Sequence, residues 1–146
     1  MKYKWRIPFF ILCISSILSC KHESDELYRS ILTQLKVDTT IDFIFFLPEN
    51  PCPFCEEKLK LILKLNATKK IAVVFSGMSE KHLRFKSKEY EDIQKVKVYI
   101  DSSQKAILNA LVNQSGSLYQ ISDEGKLIHL LDITPNSVLK LSSYLE

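Results

Sequence analysis

The chain has 146 residues, room for one domain of ordinary size. Apolar residues make up 46% and charged residues 25%, which excludes both a disordered tail and a multi-span membrane protein. The net charge of +3 sits at one end, because Lys2, Lys4 and Arg6 come first and the chain beyond residue 19 carries 17 cations against 17 anions. A neutral domain without a basic stripe is a poor partner for nucleic acid, and that class is set aside.

After Arg6, Ile7 to Leu18 is an apolar run broken only by Pro8, Ser15 and Ser16. As a helix it would span about 18 Å, well short of the roughly 30 Å hydrocarbon core of a bilayer. Its order, basic then apolar then small, predicts an export signal over residues 1–19, cut between Ser19 and Cys20. Ile17-Leu18-Ser19-Cys20 resembles the lipobox of bacterial lipoproteins. That resemblance implies a diacylated Cys20 at the mature N-terminus. It also implies a bacterial cell-envelope location, with the domain held by lipid at the membrane and facing outside the cytoplasm. The competing reading is a plain secretory signal with an incidental Cys20. Residues 20–25 read as a tether and residues 26–146 as the folded domain. With Cys13 removed and Cys20 acylated, Cys52 and Cys55 are the domain's thiols, in a compartment where disulfides persist.

Along the domain, Leu27, Ile31, Leu32 and Leu35 recur at helical spacing and predict a helix over residues 25–36. Ile41 to Leu47, rich in branched and aromatic residues and without a helical period, reads as a buried strand with near-continuous apolar character and therefore near the sheet centre. Pro48-Glu49-Asn50-Pro51 ends it, and a helical pattern with Leu59, Ile62 and Leu63 runs from Pro53 to about Leu65. Ile71 to Phe75 is a second buried strand, stopped by Gly77. Residues 79–92 are charged, with Leu83, Phe85 and Tyr90 irregularly placed, and read as a loop with some helix. Val96 to Ile100 alternates as a third strand. Ser102 or Ser103 would then cap a helix to about Asn113, with Ile107, Leu108, Leu111 and Val112 facing inward. Leu118–Ser122 and Leu127–Ile133 flank the turn residues Asp123-Glu124-Gly125-Lys126, a hairpin signal. Thr134 caps and Pro135 opens a last helix to Leu145. Strands separated by helices need parallel crossovers, and the hairpin adds an antiparallel edge. The fold class is α/β, one mixed sheet with helices on both faces and a C-terminal β-hairpin plus helix.

Cys52-Pro53-Phe54-Cys55 falls where the first strand meets its helix. A helix N-terminus favours a thiolate through its unpaired N–H groups and dipole. Pro53 suits the first helical position, having no N–H to leave orphaned. Cys52 is the expected exposed nucleophile and Cys55 the partly covered resolving thiol. At this point the chain resembles the thioredoxin superfamily over roughly residues 38–146. Its Cys-Pro-Phe-Cys is close to the motifs of glutaredoxins and periplasmic disulfide oxidases. Residues 96–131, with Asp101 ending a strand and Ser122 to Ile128 forming the turn, look more like membrane-anchored envelope members. The resemblance implies thiol-disulfide exchange on exported protein thiols and disulfides and a membrane redox partner; no cofactor and no metal ligand is predicted.

The chain departs from that pattern at several places. The position of the usual cis-proline falls near Ser117, in the loop Ser115-Gly116-Ser117, which reads as flexible. Pro51 stands where anchored members carry tryptophan, and Phe46 where thioredoxin has a buried carboxylate. Glu56 and Glu57 behind the motif oppose a thiolate, with Lys58 and Lys60 only partly offsetting them. Two other readings of the same thiols stay open. One is a redox-inert binding or scaffold module with a static bridge, and the other a copper carrier drawing on His82 or His129.

Overall fold

The computed structural model describes residues 26–66 and 68–146; the expected signal, Cys20 and the tether lie outside them. A first helix, α1, covers residues 26–34 of the described chain. It closes with Lys36 at φ +53°, where Val37 N–H bonds Leu32 O and Lys36 N–H bonds Thr33 O, a Schellman stop built without glycine. Then follow β1 (Phe43–Pro48), α2 (Pro53–Asn66), β2 (Ile71–Ser76), α3 (Glu80–Glu91) and β3 (Val96–Asp101). The C-terminal part holds α4 (Lys105–Leu108), β4 (Ser117–Ile121), β5 (Leu127–Asp132), a 3₁₀ turn (Val138–Lys140) and α5 (Ser142–Leu145).

The strands form one sheet in the order β3-β2-β1-β4-β5, parallel through β3, β2 and β1 and antiparallel through β4 and β5. β1 is the middle strand, as its unbroken apolar character demands. Its odd residues Phe43, Phe45 and Leu47 join Ile71, Val73 and Phe75 in a core with Leu59 and Leu63 of α2, Leu83 and Tyr90 of α3, and the C-terminal segment. Its even residues Ile44 and Phe46 join Ala72, Val74 and Tyr119 in a second core under Ile31 of α1, Ala106 and Leu111. The sheet is thus covered on both faces. Strand β5 carries an irregularity, pairing Tyr119 with His129 but Leu118 with Leu131, so that Leu130 has no partner across the strand.

Three expectations need correction. The segment 79–92 holds a full helix, α3 over Glu80–Glu91, capped by the Ser79 hydroxyl, which accepts the His82 N–H at 3.3 Å. Its inner face is Leu83, Ser87 and Tyr90, a helical stripe in which a serine holds the middle place, while Phe85 is 67% exposed. The helix expected to reach Asn113 is instead the single turn α4. Gln104, at φ +58°, holds its N-cap position in place of Ser102 or Ser103, and the Asp101 carboxylate accepts the first N–H groups, those of Lys105 and Ala106. Ala110 at φ +55° closes it, with Leu111 N–H on Ala106 O and Ala110 N–H on Ile107 O. Ile107 and Leu108 consequently face outward, Leu108 at 76% exposure. The last helix is also broken into the 3₁₀ turn and α5. Thr134 and Ser137 cap one another there, and the Ser143 hydroxyl takes the Lys140 carbonyl at 2.7 Å in competition with the backbone. Val138, Leu141 and Leu145 still point into the core.

Candidate active site

The motif lies at the carboxyl end of the central strand. Glu56 N–H bonds Cys52 O at 2.9 Å, the first helical bond, which makes Cys52 the N-cap of α2 and Pro53 its first residue. Both cysteines are free thiols. Cys52 is half-buried, whereas Cys55 is 1% exposed and belongs to the core with Phe45 and Leu59.

The Cys55 N–H lies 3.4 Å from Cys52 Sγ. The Cys55 thiol, the Cys55 N–H and the Phe54 N–H, donating to that sulfur, hold the Cys52 thiol below its ordinary pKa despite some desolvation. Burial pushes Cys55 the other way, to about 11, reinforced by its neighbour's sulfur. One dithiol is thereby split into a more acidic, more exposed thiol and a buried, reluctant one. Iodoacetamide at neutral pH should label Cys52 alone in the folded reduced protein, with Cys55 following only near pH 11 or on unfolding. Peptide mapping that found both thiols equally labelled at pH 7 would refute this assignment.

The expected opposition from Glu56 is met within the fold. Its carboxylate turns toward α3, where Lys86 Nζ lies 2.8 Å from Oε2. Lys60 pairs with Glu89, and Lys58 lies 5.7 Å from the centroid of the half-exposed Phe54 ring. Phe46 is buried on the face away from Cys55, packed edge-on against Tyr119, so the β1 side chains sharing Cys55's core are Phe43, Phe45 and Leu47. The loop 115–117 is pinned rather than flexible. Asn113 Oδ1 accepts the N–H groups of Ser115 at 3.0 Å and Gly116 at 2.7 Å, and buried Ser117 donates to Asp132 at 3.0 Å. Gly116, at φ +115°, sits where a Cβ would lie 2.6 Å from Leu47 Cδ2, so the loop rests directly on the end of β1.

His82 and His129 each have a carboxylate partner of their own. His82 Nδ1 lies 3.1 Å from Glu49 Oε1, and His129 Nε2 lies 3.0 Å from Asp132 Oδ1. No group of three or more His, Cys, Asp or Glu that could hold a metal occurs among the described residues. Glu49, in the loop that leads to Cys52, reaches past Gly77 to the Met78 and Ser79 N–H groups and to His82, although sequence reading took Glu49 and Gly77 only as residues ending strands. The signal available was Gly77 two places before the Ser79 cap.

No family model matches the sequence, and a search of curated proteins finds no match either. The fold does match solved structures. A conserved Bacteroides fragilis protein of unknown function aligns over 73% of this chain and 82% of its own, with TM-score 0.51 and 16% identity. A Chlorobium tepidum protein assigned as the thiol:disulfide interchange protein DsbE aligns over 72% and 77%, with TM-score 0.51 and 14% identity. A thioredoxin-like protein from Bacteroides caccae aligns over 73% of this chain and 40% of its own, with TM-score 0.50 and 18% identity. With a mixed sheet centred on the strand before the dithiol, a terminal hairpin and these structural neighbours, the chain has the thioredoxin-like α/β fold.

Proposed function

We propose that this protein carries out thiol-disulfide exchange on exported proteins, with Cys52 as nucleophile and Cys55 as resolving thiol. The observation that carries the reading is the asymmetry of the pair, a half-buried sulfur with lowered pKa at a helix N-terminus above a buried one raised to about 11. The Cys52 thiolate attacks one sulfur of a substrate disulfide, forming a mixed disulfide and expelling the other substrate sulfur as thiolate. Cys55 then gives its proton to solvent and attacks Cys52 Sγ. The second substrate sulfur leaves, and Cys52–Cys55 closes as a disulfide. The substrate has gained the two electrons that the dithiol has lost, and a membrane redox partner returns them. Run backward, the same steps oxidise a substrate dithiol.

The proposal includes attachment by lipid at Cys20 to a membrane of the bacterial envelope, supported by the Ile17-Leu18-Ser19-Cys20 pattern. Expressed in cells, Cys55→Ser should accumulate mixed disulfides with exported proteins in the membrane fraction, visible on non-reducing gels. The double variant with Cys52→Ala should lose every adduct. Absence of adducts from Cys55→Ser, with the protein folded and its Cys52 reactive to iodoacetamide, would point to a binding module instead. Adding Cys20→Ala should move the adducts out of the detergent phase, and unchanged partitioning would refute the anchor.

A further inference from the structure

We propose that Glu49 is a positioning residue for Cys52, tying the short loop that carries the thiol to the N-terminal turn of α3 through its carboxylate rather than acting on the sulfur by charge. This rests on Cys52 being the reacting thiol, as proposed above. Residues 49–51 connect the end of β1 to the N-cap cysteine and lie outside the ladder of the sheet. Glu49 Oε2 accepts the Met78 N–H at 3.0 Å and the Ser79 N–H at 3.4 Å, and its Oε1 lies 3.1 Å from His82 Nδ1. Ser79 is the N-cap of α3 and His82 its third residue, so one side chain from the thiol-bearing loop spans the start of a second helix. The approach is close because residue 77 has no side chain. A Cβ on Gly77 would sit 2.6 Å from both Glu49 Cβ and Oε2. His82 first, then the two backbone donors, keep the carboxyl below its ordinary pKa, consistent with an ionised clamp.

The consequence for Cys52 is geometric. Its thiolate depends on the Phe54 and Cys55 N–H groups converging on the sulfur, and the N-cap conformation that brings them there is set by the loop behind it. Position and charge predict opposite signs. Removing a negative charge that acted on the sulfur would make the thiol more acidic, whereas releasing the loop makes it less so.

The test follows the pH dependence of Cys52 alkylation in the full chain by peptide mapping, with circular dichroism to check folding. Glu49→Ala should raise the Cys52 pKa by about one unit and, at pH values below both thiol pKa values, slow labelling about tenfold, one decade of thiolate per pKa unit. Gly77→Ala, which changes no charge, should do the same by displacing Glu49. Glu49→Gln keeps an acceptor for the Met78 N–H and should restore most of the wild-type rate. Folded Glu49→Ala and Gly77→Ala proteins with an unchanged Cys52 profile would overturn the proposal. So would a lowered pKa in Glu49→Ala, or a Glu49→Gln protein as slow as Glu49→Ala. If Gly77→Ala does not fold, His82→Asn removes one of the three contacts and should give a smaller rise, and no rise there overturns the proposal. Alkylation needs no disulfide substrate, so this result stands apart from whether Cys55→Ser traps exported proteins.

Discussion

Phe45→Ala is expected to cost about 3–5 kcal/mol, a large fraction of the roughly 5–15 kcal/mol that holds a domain of this kind together. Phe45 is the midpoint of the middle strand, paired with Val73 on one side and Leu118 on the other, and it is wholly buried. Its ring fills the space beneath α2, in the core shared with Cys55 and Leu59. A cavity there cannot shrink easily, because hydrogen-bonded strands fix the backbone on both sides of β1. Urea unfolding should show the loss as a lower midpoint with an unchanged slope. A loss below about 1 kcal/mol would contradict a close-packed core at this point. Since Cys55 is packed in the same core, the folded fraction should also show faster labelling of that thiol.

Asp101→Ala should cost about 2–4 kcal/mol, because the carboxylate answers several donors at once and leaves them stranded when removed. Asp101 is 1% exposed at the end of β3. Its Oδ2 accepts the Ser76 hydroxyl and the Ala106 N–H, each at 2.8 Å. Its Oδ1 accepts the Ser103 hydroxyl at 2.8 Å and the Lys105 N–H at 3.2 Å. Ser76 is fully buried, so its hydroxyl would lose this partner out of reach of water. Asp101→Asn should fall between, since an amide can serve some of these donors and must orient its own NH₂ against the rest. Thermal unfolding of the two variants checks the order. An Asp101→Ala protein as stable as wild type would show that the network contributes nothing.

The parts of this fold legible in the sequence are those where one physical demand dominates. Phe43 to Leu47 and Ile71 to Phe75 have no polar side to present to water, so they had to be interior parallel strands. Cys52 and Pro53 marked a helix start because both suit it. The misread parts are those where an unexpected residue fills a structural role. Ser87 interrupts the apolar stripe of α3 yet is buried there, its hydroxyl donating to the Arg84 carbonyl at 2.9 Å. Ala110 and Lys36 take left-handed places that a reader assigns to glycine. At the site, the two thiols could be found from spacing, and their order of exposure from the helix start. The Glu49 contacts could not, because they join residues 29 to 33 positions apart in sequence.

The unpaired Leu130 alters the counting along β5. In a regular strand, residues three apart point to opposite sides, so His129 and Asp132 could not meet. One additional residue reverses the parity, sets Leu130 and Leu131 both against the α2 core, and returns Asp132 to the side of His129, within 3.0 Å. The same insertion falls on an outer strand of the sheet. A straight foreign strand laid along it would keep step up to His129 and lose step beyond. The border of the sheet nearest the Ser117 loop is therefore a poor template for self-association.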